Sequence, residues 1–272
     1  MNRYRRIIKR TLSFSRRELK LRTRYKWPLI SSSIVYPILH VLPLVLLYWG
    51  LLSTVSGDFG EVTAENFLPW LLVGTLCYSV FFLGCAFFKG RFVEEKYWGT
   101  IIGTLIAPIS KYYFLFGAII QLSIEAFFTT ILWTILAFII FPTSLSGLFL
   151  LFLIIFITII IGASLGLIHG TIILVNENYG VFFDYLSYSL AFFSTYSIPY
   201  EVFSRIHPIV QGVVDINPLY HIIKITRAIW FGTYGSDLIS SLIYIIIFAI
   251  CLMIVGVYLF SKITRHYGVR GY

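Results

Sequence analysis

Gly162-Ala163-Ser164-Leu165-Gly166 has the spacing of a hydrolase nucleophile elbow, and His169 follows three residues later. In that chemistry a histidine takes the serine proton as the hydroxyl attacks a carbonyl. The serine must then sit on a strained strand-to-helix turn. Here the five residues lie inside an unbroken apolar run. Gly162, Gly166 and Gly170 are four apart, the small-xxx-small spacing that lets two membrane helices approach closely. Packing is the better reading. No His-Glu-x-x-His or Cys-x-x-Cys pair supports a metal centre. No Gly-Lys-Ser/Thr phosphate loop is present, so the chain does not hold ATP in the P-loop manner.

Glu125, His40 and Asp184 are ionisable groups inside apolar runs, costly in lipid unless they face protein or water. Each fits a substrate or proton path, and each equally fits a hydrogen-bonded contact between helices. Phe182, Phe183, Tyr185, Tyr188, Phe192, Phe193 and Tyr196 crowd one run. Such a wall carries amphipathic or sugar-bearing molecules by stacking, or it packs against lipid; both readings stand.

The elements that position these groups follow from composition. Of 272 residues, 58% are hydrophobic and only 12% charged, about half the charge of an ordinary soluble domain. Runs of about 20 apolar residues recur, the length of a bilayer-crossing helix. The fold class is therefore all-α integral membrane, a single transmembrane domain over residues 1–272 with six expected spans. These are Ile30–Leu52, Phe67–Phe88, Tyr113–Phe141, Leu148–Val175, Tyr179–Ile198 and Leu238–Ile263. Cys77, Cys85 and Cys251 lie within apolar runs, without disulfide or metal spacing, and read as small packing residues. The charged head is too long for a cleavable signal peptide.

Of the 21 lysines and arginines, 11 precede the first span. Tyr4, Ile7, Ile8, Leu12, Phe14, Leu19 and Leu21 share one half of a helical wheel, with most of the basic residues opposite. Residues 1–29 therefore read as an amphipathic helix lying in the membrane interface, with Trp27 as its anchor. Membrane retention and anionic-lipid contact explain this charge better than a nucleic-acid arm. The segment 89–111 and the tail within 238–272 are basic, whereas loops 53–66 and 142–147 carry no basic residue. The positive-inside rule places both termini and segment 89–111 in the cytoplasm. Residues 199–237 lie on the outer side and hold two short apolar helical patterns around Asn217-Pro218, read as a re-entrant helical hairpin.

Between spans two and three stands FVEEKYWGTIIGTLIAPISKYY, residues 92–113. Val93, Tyr97, Trp98, Ile101, Ile102, Leu105 and Ile106 repeat every three or four residues, with Glu94, Glu95, Lys96, Thr100 and Thr104 opposite. The pattern predicts a cytoplasmic amphipathic helix ended by Pro108. Here the chain resembles the membrane (permease) subunits of type-2 ATP-binding-cassette (ABC) exporters. Glu94/Glu95, Gly99-Thr100 and Ala107-Pro108-Ile109-Ser110 carry the likeness. Asn217-Pro218-Leu219 followed by Arg227-Ala228 adds a second family-like element.

The resemblance implies a transport subunit rather than an enzyme, paired with a second copy or sister permease and with separate nucleotide-binding ATPase subunits. ATP and magnesium belong to those partners, and no cofactor is expected in this chain. Glu94, Glu95, Trp98, Gly99, Thr100 and Pro108 would form the coupling site. A path lined by spans one, two and five would include His40, Tyr185, Tyr188, Phe192 and Tyr196. The chain would sit in the cell membrane and move a lipid, drug or lipid-linked glycan outward. The motif form is closer to drug and lipid exporters than to polysaccharide, O-antigen-type or teichoic-acid-type exporters, the alternative within the family. From other classes, a proton-coupled secondary transporter and a membrane-embedded lipid or glycan enzyme remain; neither explains the helix between spans two and three.

Overall fold

The computed structural model describes residues 66–99 and 111–270, except for the side chains of 111–113 and 266–270. It also describes residues 62 and 63 and scattered positions between 11 and 50. The N-terminal interface helix as a unit, the first span with His40, and Thr100 to Pro108 lie outside these residues. Eight helices run through the continuous part. They are α1 (Phe67–Tyr97), α2 (Lys111–Ile140), α3 (Leu145–Val175), α4 (Tyr179–Phe192), α5 (Tyr200–Ile206), α6 (Pro208–Ile216), α7 (Pro218–Phe231) and α8 (Asp237–Arg270).

Four of them are long and apolar enough to cross a membrane: Phe67–Tyr97, Phe114–Ile140, Leu145–Val175 and Asp237–Arg265. With 31 residues, α1 and α3 each reach about 46 Å, well beyond a hydrocarbon core of about 30 Å. These account for four of the six expected spans, and the first falls outside the described residues. The fifth departs from expectation. Its helix has 14 residues, about 21 Å, and stops at Phe192 instead of continuing to Ile198. The Ser194 hydroxyl donates to Ala191 O (2.6 Å), Thr195 takes a left-handed φ of 63°, and Pro199 precedes the next helix. Serine hydroxyls that bond their own backbone compete with helix propagation, and proline cannot extend a helix that precedes it.

α1 is the central strut, packing against α2, α3 and α7, while α3 also carries α8. The glycine stripe of α3 is the closest seam. A side chain on Gly162 would meet Phe81 O of α1, and one on Gly170 would meet Phe88 O. The segment 199–237 forms three helices where the pattern suggested two, because His207-Pro208 divides the first. Each proline takes the first helical turn, where its missing N–H costs nothing. His207 Nδ1 accepts from Ile209 N and Asn217 Oδ1 accepts from Leu219 N, capping α6 and α7. α7 is buried on nearly all sides, with Leu219, Ile222, Ile223 and Thr226 fully inaccessible among α1, α3 and α8.

Candidate functional site

At one end of the bundle α1 finishes, α2 begins, and α3 and α8 end. This basic end holds Lys89, Arg91, Lys96, Lys262 and Arg265. α1 does not stop where the apolar run stops. It continues as helix through Glu94, Glu95 and Tyr97, then turns at Trp98 and Gly99, where Gly99 has φ +67°. That left-handed conformation costs glycine little and other residues more. Val93 and Tyr97 therefore belong to the extended span helix, and the single amphipathic helix predicted through Ile106 is interrupted at Gly99.

The two glutamates have different fates. Glu95 is turned inward and accepts from Arg91 Nη2 (3.3 Å), whose guanidinium lies 4.8 Å from the Phe114 ring centre. Glu94 is exposed, as are Tyr97, Trp98 and Gly99. Lys96 pairs with Glu177 in the turn before α4 (2.9 Å), and Lys89 pairs with Asp184 on α4. Directly beneath the exposed tip, Phe92, Phe114 and Phe260 stack with ring centres 5.8–6.3 Å apart, and Phe88 joins at 6.1 Å. This cluster ties α1, α2 and α8 together at the tip.

Higher on α1, the aromatic wall is only partly the one expected. Tyr78 stacks on Tyr196 (4.5 Å), and Phe82 meets Tyr188 (5.5 Å). Tyr188 and Tyr196 are thus brought together by α1 residues that the sequence did not single out, although Tyr78 and Phe82 are an i, i+4 pair. Phe192 turns away to pack against Phe193 and Phe203. Val181, Tyr185, Tyr188 and Phe192 fall at i, i+4, i+7 and i+11 and form an exposed stripe on α4.

The break after α4 is fastened by two residues of the second family-like element. Asn217 Nδ2 donates to Leu190 O (2.6 Å) near the end of α4. Arg227 donates from Nε to Trp70 O (3.3 Å) and from Nη2 to Tyr196 O (3.1 Å), its guanidinium 3.5 Å above the Trp70 ring. This contact across α1 was not legible from spacing.

Other candidates resolve as structure. Ser164 donates to Ile160 O (2.7 Å), and His169 Nε2 pairs with Gly180 O (3.1 Å) while stacking on Phe183. Both engage backbone within or between continuous helices, so no elbow exists. Glu125 is buried and accepts from Gln121 Nε2 (2.9 Å) on its own helix.

A family model described as ABC-2 type transporter matches residues 10–231, more than half of the chain. The chain belongs to the ABC-2 type transporter family. No curated protein matches it. As an ABC-2 chain it is a multi-pass membrane permease component of an ABC transporter. The match covers both the tip of α1 and the Asn217–Arg227 fastening, so the residues that sequence singled out and those added by packing fall inside the ABC-2 region.

One titratable contact holds the α6–α8 corner. His221 is half-buried, with Nε2 on Asp215 O (2.8 Å) and Nδ1 on Ser241 Oγ (3.0 Å), beside the Tyr244 ring. A carbonyl only accepts, so Nε2 carries the proton and Nδ1 accepts from Ser241. Burial lowers the His221 pKa below its ordinary 6.5 and Lys224 lowers it further, against the opposing pull of the Asp215 carbonyl and carboxylate. A base with a depressed folded pKa contributes stability that is complete above its unfolded value and lost as pH falls below it. The melting temperature in detergent should drop between pH 7 and pH 5, and His221→Gln should flatten that slope. An unchanged slope in the variant would assign the pH response to other groups.

Proposed function

We propose that this ABC-2 chain is half of an ATP-driven exporter of an amphipathic substrate, coupled to a separate ATPase through the exposed end of α1. The observation that carries this reading is the unbroken helix from Phe67 to Tyr97. It joins Glu94, and the turn at Trp98 and Gly99 that follows it, to Tyr78 and Phe82 of the aromatic wall with no hinge within the helix. Positive-inside bias puts the tip in the cytoplasm, where an ATPase is available. ATP acts on such a chain only by favouring one arrangement over another through differential contacts at the docking surface. A push on Glu94 and Trp98 is delivered to α2 and α8 by the Phe92–Phe114–Phe260 stack, and to α4 through Lys96–Glu177 and Lys89–Asp184.

The exposed α4 stripe supports a second copy or sister permease on that side, with the path between them. Tyr185, Tyr188 and Tyr196 combine aromatic faces with hydroxyls, which suits a molecule with an apolar body and a polar end. Glu95 has a structural duty toward Arg91, so the exposed neighbours make the cleaner test. Glu94→Arg with Trp98→Ala should reduce co-purification with the partner ATPase and lower substrate-stimulated ATP hydrolysis at least tenfold. Membrane insertion and monodispersity should be retained. Undiminished stimulated hydrolysis would sink the coupling assignment. Stimulation compared across lipids, glycolipids and apolar drugs selects the cargo class.

A further inference from the structure

α2, α3 and α8, with Phe88 of α1, enclose a lateral groove of about 1500 Å³ that no residue of α4 lines. Its walls are apolar for most of its length, with Phe116, Ile160, Leu167 and Val257 among the lining residues. At the basic end of the bundle the lining changes character to Tyr258, Ser261, Lys262 and Arg265. The Lys262 ammonium stands 5.9 Å from the centre of the Tyr258 ring, and both Lys262 and Arg265 are exposed. No carboxylate lines the groove among the described residues.

We propose that this groove is a binding site for an anionic phospholipid of the leaflet at the basic end, distinct from the exported substrate's path. Length supports the assignment. The α8 wall runs from Met253 to Arg265, twelve rises or about 18 Å, comparable with one leaflet of a hydrocarbon core of about 30 Å. Polarity supports it too: acyl chains meet the apolar wall while the phosphate reaches two cations and two hydroxyls at the mouth. Positive-inside placement puts that mouth at the cytoplasmic leaflet, whose anionic lipids attract basic residues near the membrane surface. A second copy of the chain fits less well, since a two-fold contact over this face would set its own Lys262 and Arg265 against their counterparts. The site takes its argument from α2, α3 and α8 alone and stands whether or not the α1 tip couples to an ATPase.

Native mass spectrometry of the detergent-purified full chain tests it, titrating phosphatidylglycerol against phosphatidylcholine with the same acyl chains. The wild-type protein should retain phosphatidylglycerol about tenfold or more in preference to phosphatidylcholine. Lys262→Gln with Arg265→Gln should abolish that preference, whereas Lys262→Arg with Arg265→Lys should keep it. Val257→Trp, which fills the groove, should weaken retention of both lipids. Equal retention of the two lipids by the wild type would overturn the proposal. So would a preference that survives the Gln pair, undiminished retention by Val257→Trp, or lipid-independent dimers that this variant dissociates.

Discussion

Gly166→Leu should leave no folded, monodisperse membrane domain in detergent. A Cβ at Gly166 would lie 2.6 Å from both Gly84 O and Cys85 O, and these are backbone atoms of α1 that cannot swing aside. One turn further along the same seam, a Cβ on Gly84 would meet Ala163 N at 2.8 Å, so the close approach is mutual. α1 and α3 share the most extensive helix–helix contact of the bundle. Accommodating even a methyl group forces the two helices apart along this seam. In a membrane that loss is not offset by hydrophobic collapse, because helix association there depends on close van der Waals packing. Overpacking of soluble cores costs about 1–3 kcal/mol and occasionally more; with backbone on both sides, the upper end or beyond is expected. Size-exclusion chromatography and thermal unfolding check the result. Gly212→Leu is the control: an added Cβ there meets nothing within 4 Å, and the profile should stay that of the wild type. A well-folded Gly166→Leu protein would show that the seam is looser than its geometry.

The glycine seam was legible in the sequence because four-residue spacing within an apolar run has few physical meanings. Four spans were legible for a similar reason: length and composition alone place them in a bilayer. The end of α4 was less readable. Phe193 to Pro199 is apolar enough to extend a span, and only the local hydroxyl contact of Ser194 and the left-handed Thr195 stop it. Asn217-Pro218 announced the start of α7 through its cap. Its second contact, to Leu190 O, joins residues 27 apart and leaves no local trace.

The tip of α1 shows the same division. Period marked Glu94 and Glu95 together as the polar side of one helix. Adjacent helical residues differ by about 100° around the axis, so Glu95 meets Arg91 on the preceding turn while Glu94 faces out. The interruption at Gly99 is a backbone event that an amphipathic pattern running through residue 106 conceals. Hydrophobic period therefore set both glutamates on one polar face, whereas the structure gives them different surroundings.

Arg227→Leu should destabilise the bundle by about 2–4 kcal/mol and release the segment between α4 and α5. The guanidinium is nearly buried, at 8% exposure, and lies across Gly74 of α1, where any side chain would strike Nη2. It offers one donor to Trp70 O and another to Tyr196 O, and its plane covers the Trp70 ring. Leucine fills part of the volume and restores none of these contacts. Tyr196 lies outside any described helix, and its carbonyl loses the Arg227 donor. Lysine does not rescue, because one ammonium lacks the planar fork that reaches two carbonyls while covering a ring. Hydrogen exchange supplies the specific readout: amides of residues 193–198 should exchange faster in Arg227→Leu and Arg227→Lys, whereas those of the α1–α3 seam should not. Trp70→Leu combined with Arg227→Leu closes a double-mutant cycle. A coupling energy near zero would mean the stacked pair contributes only volume. A clear coupling would show that the Arg227–Trp70 stack fastens α7 to α1, the helix bearing the exposed tip.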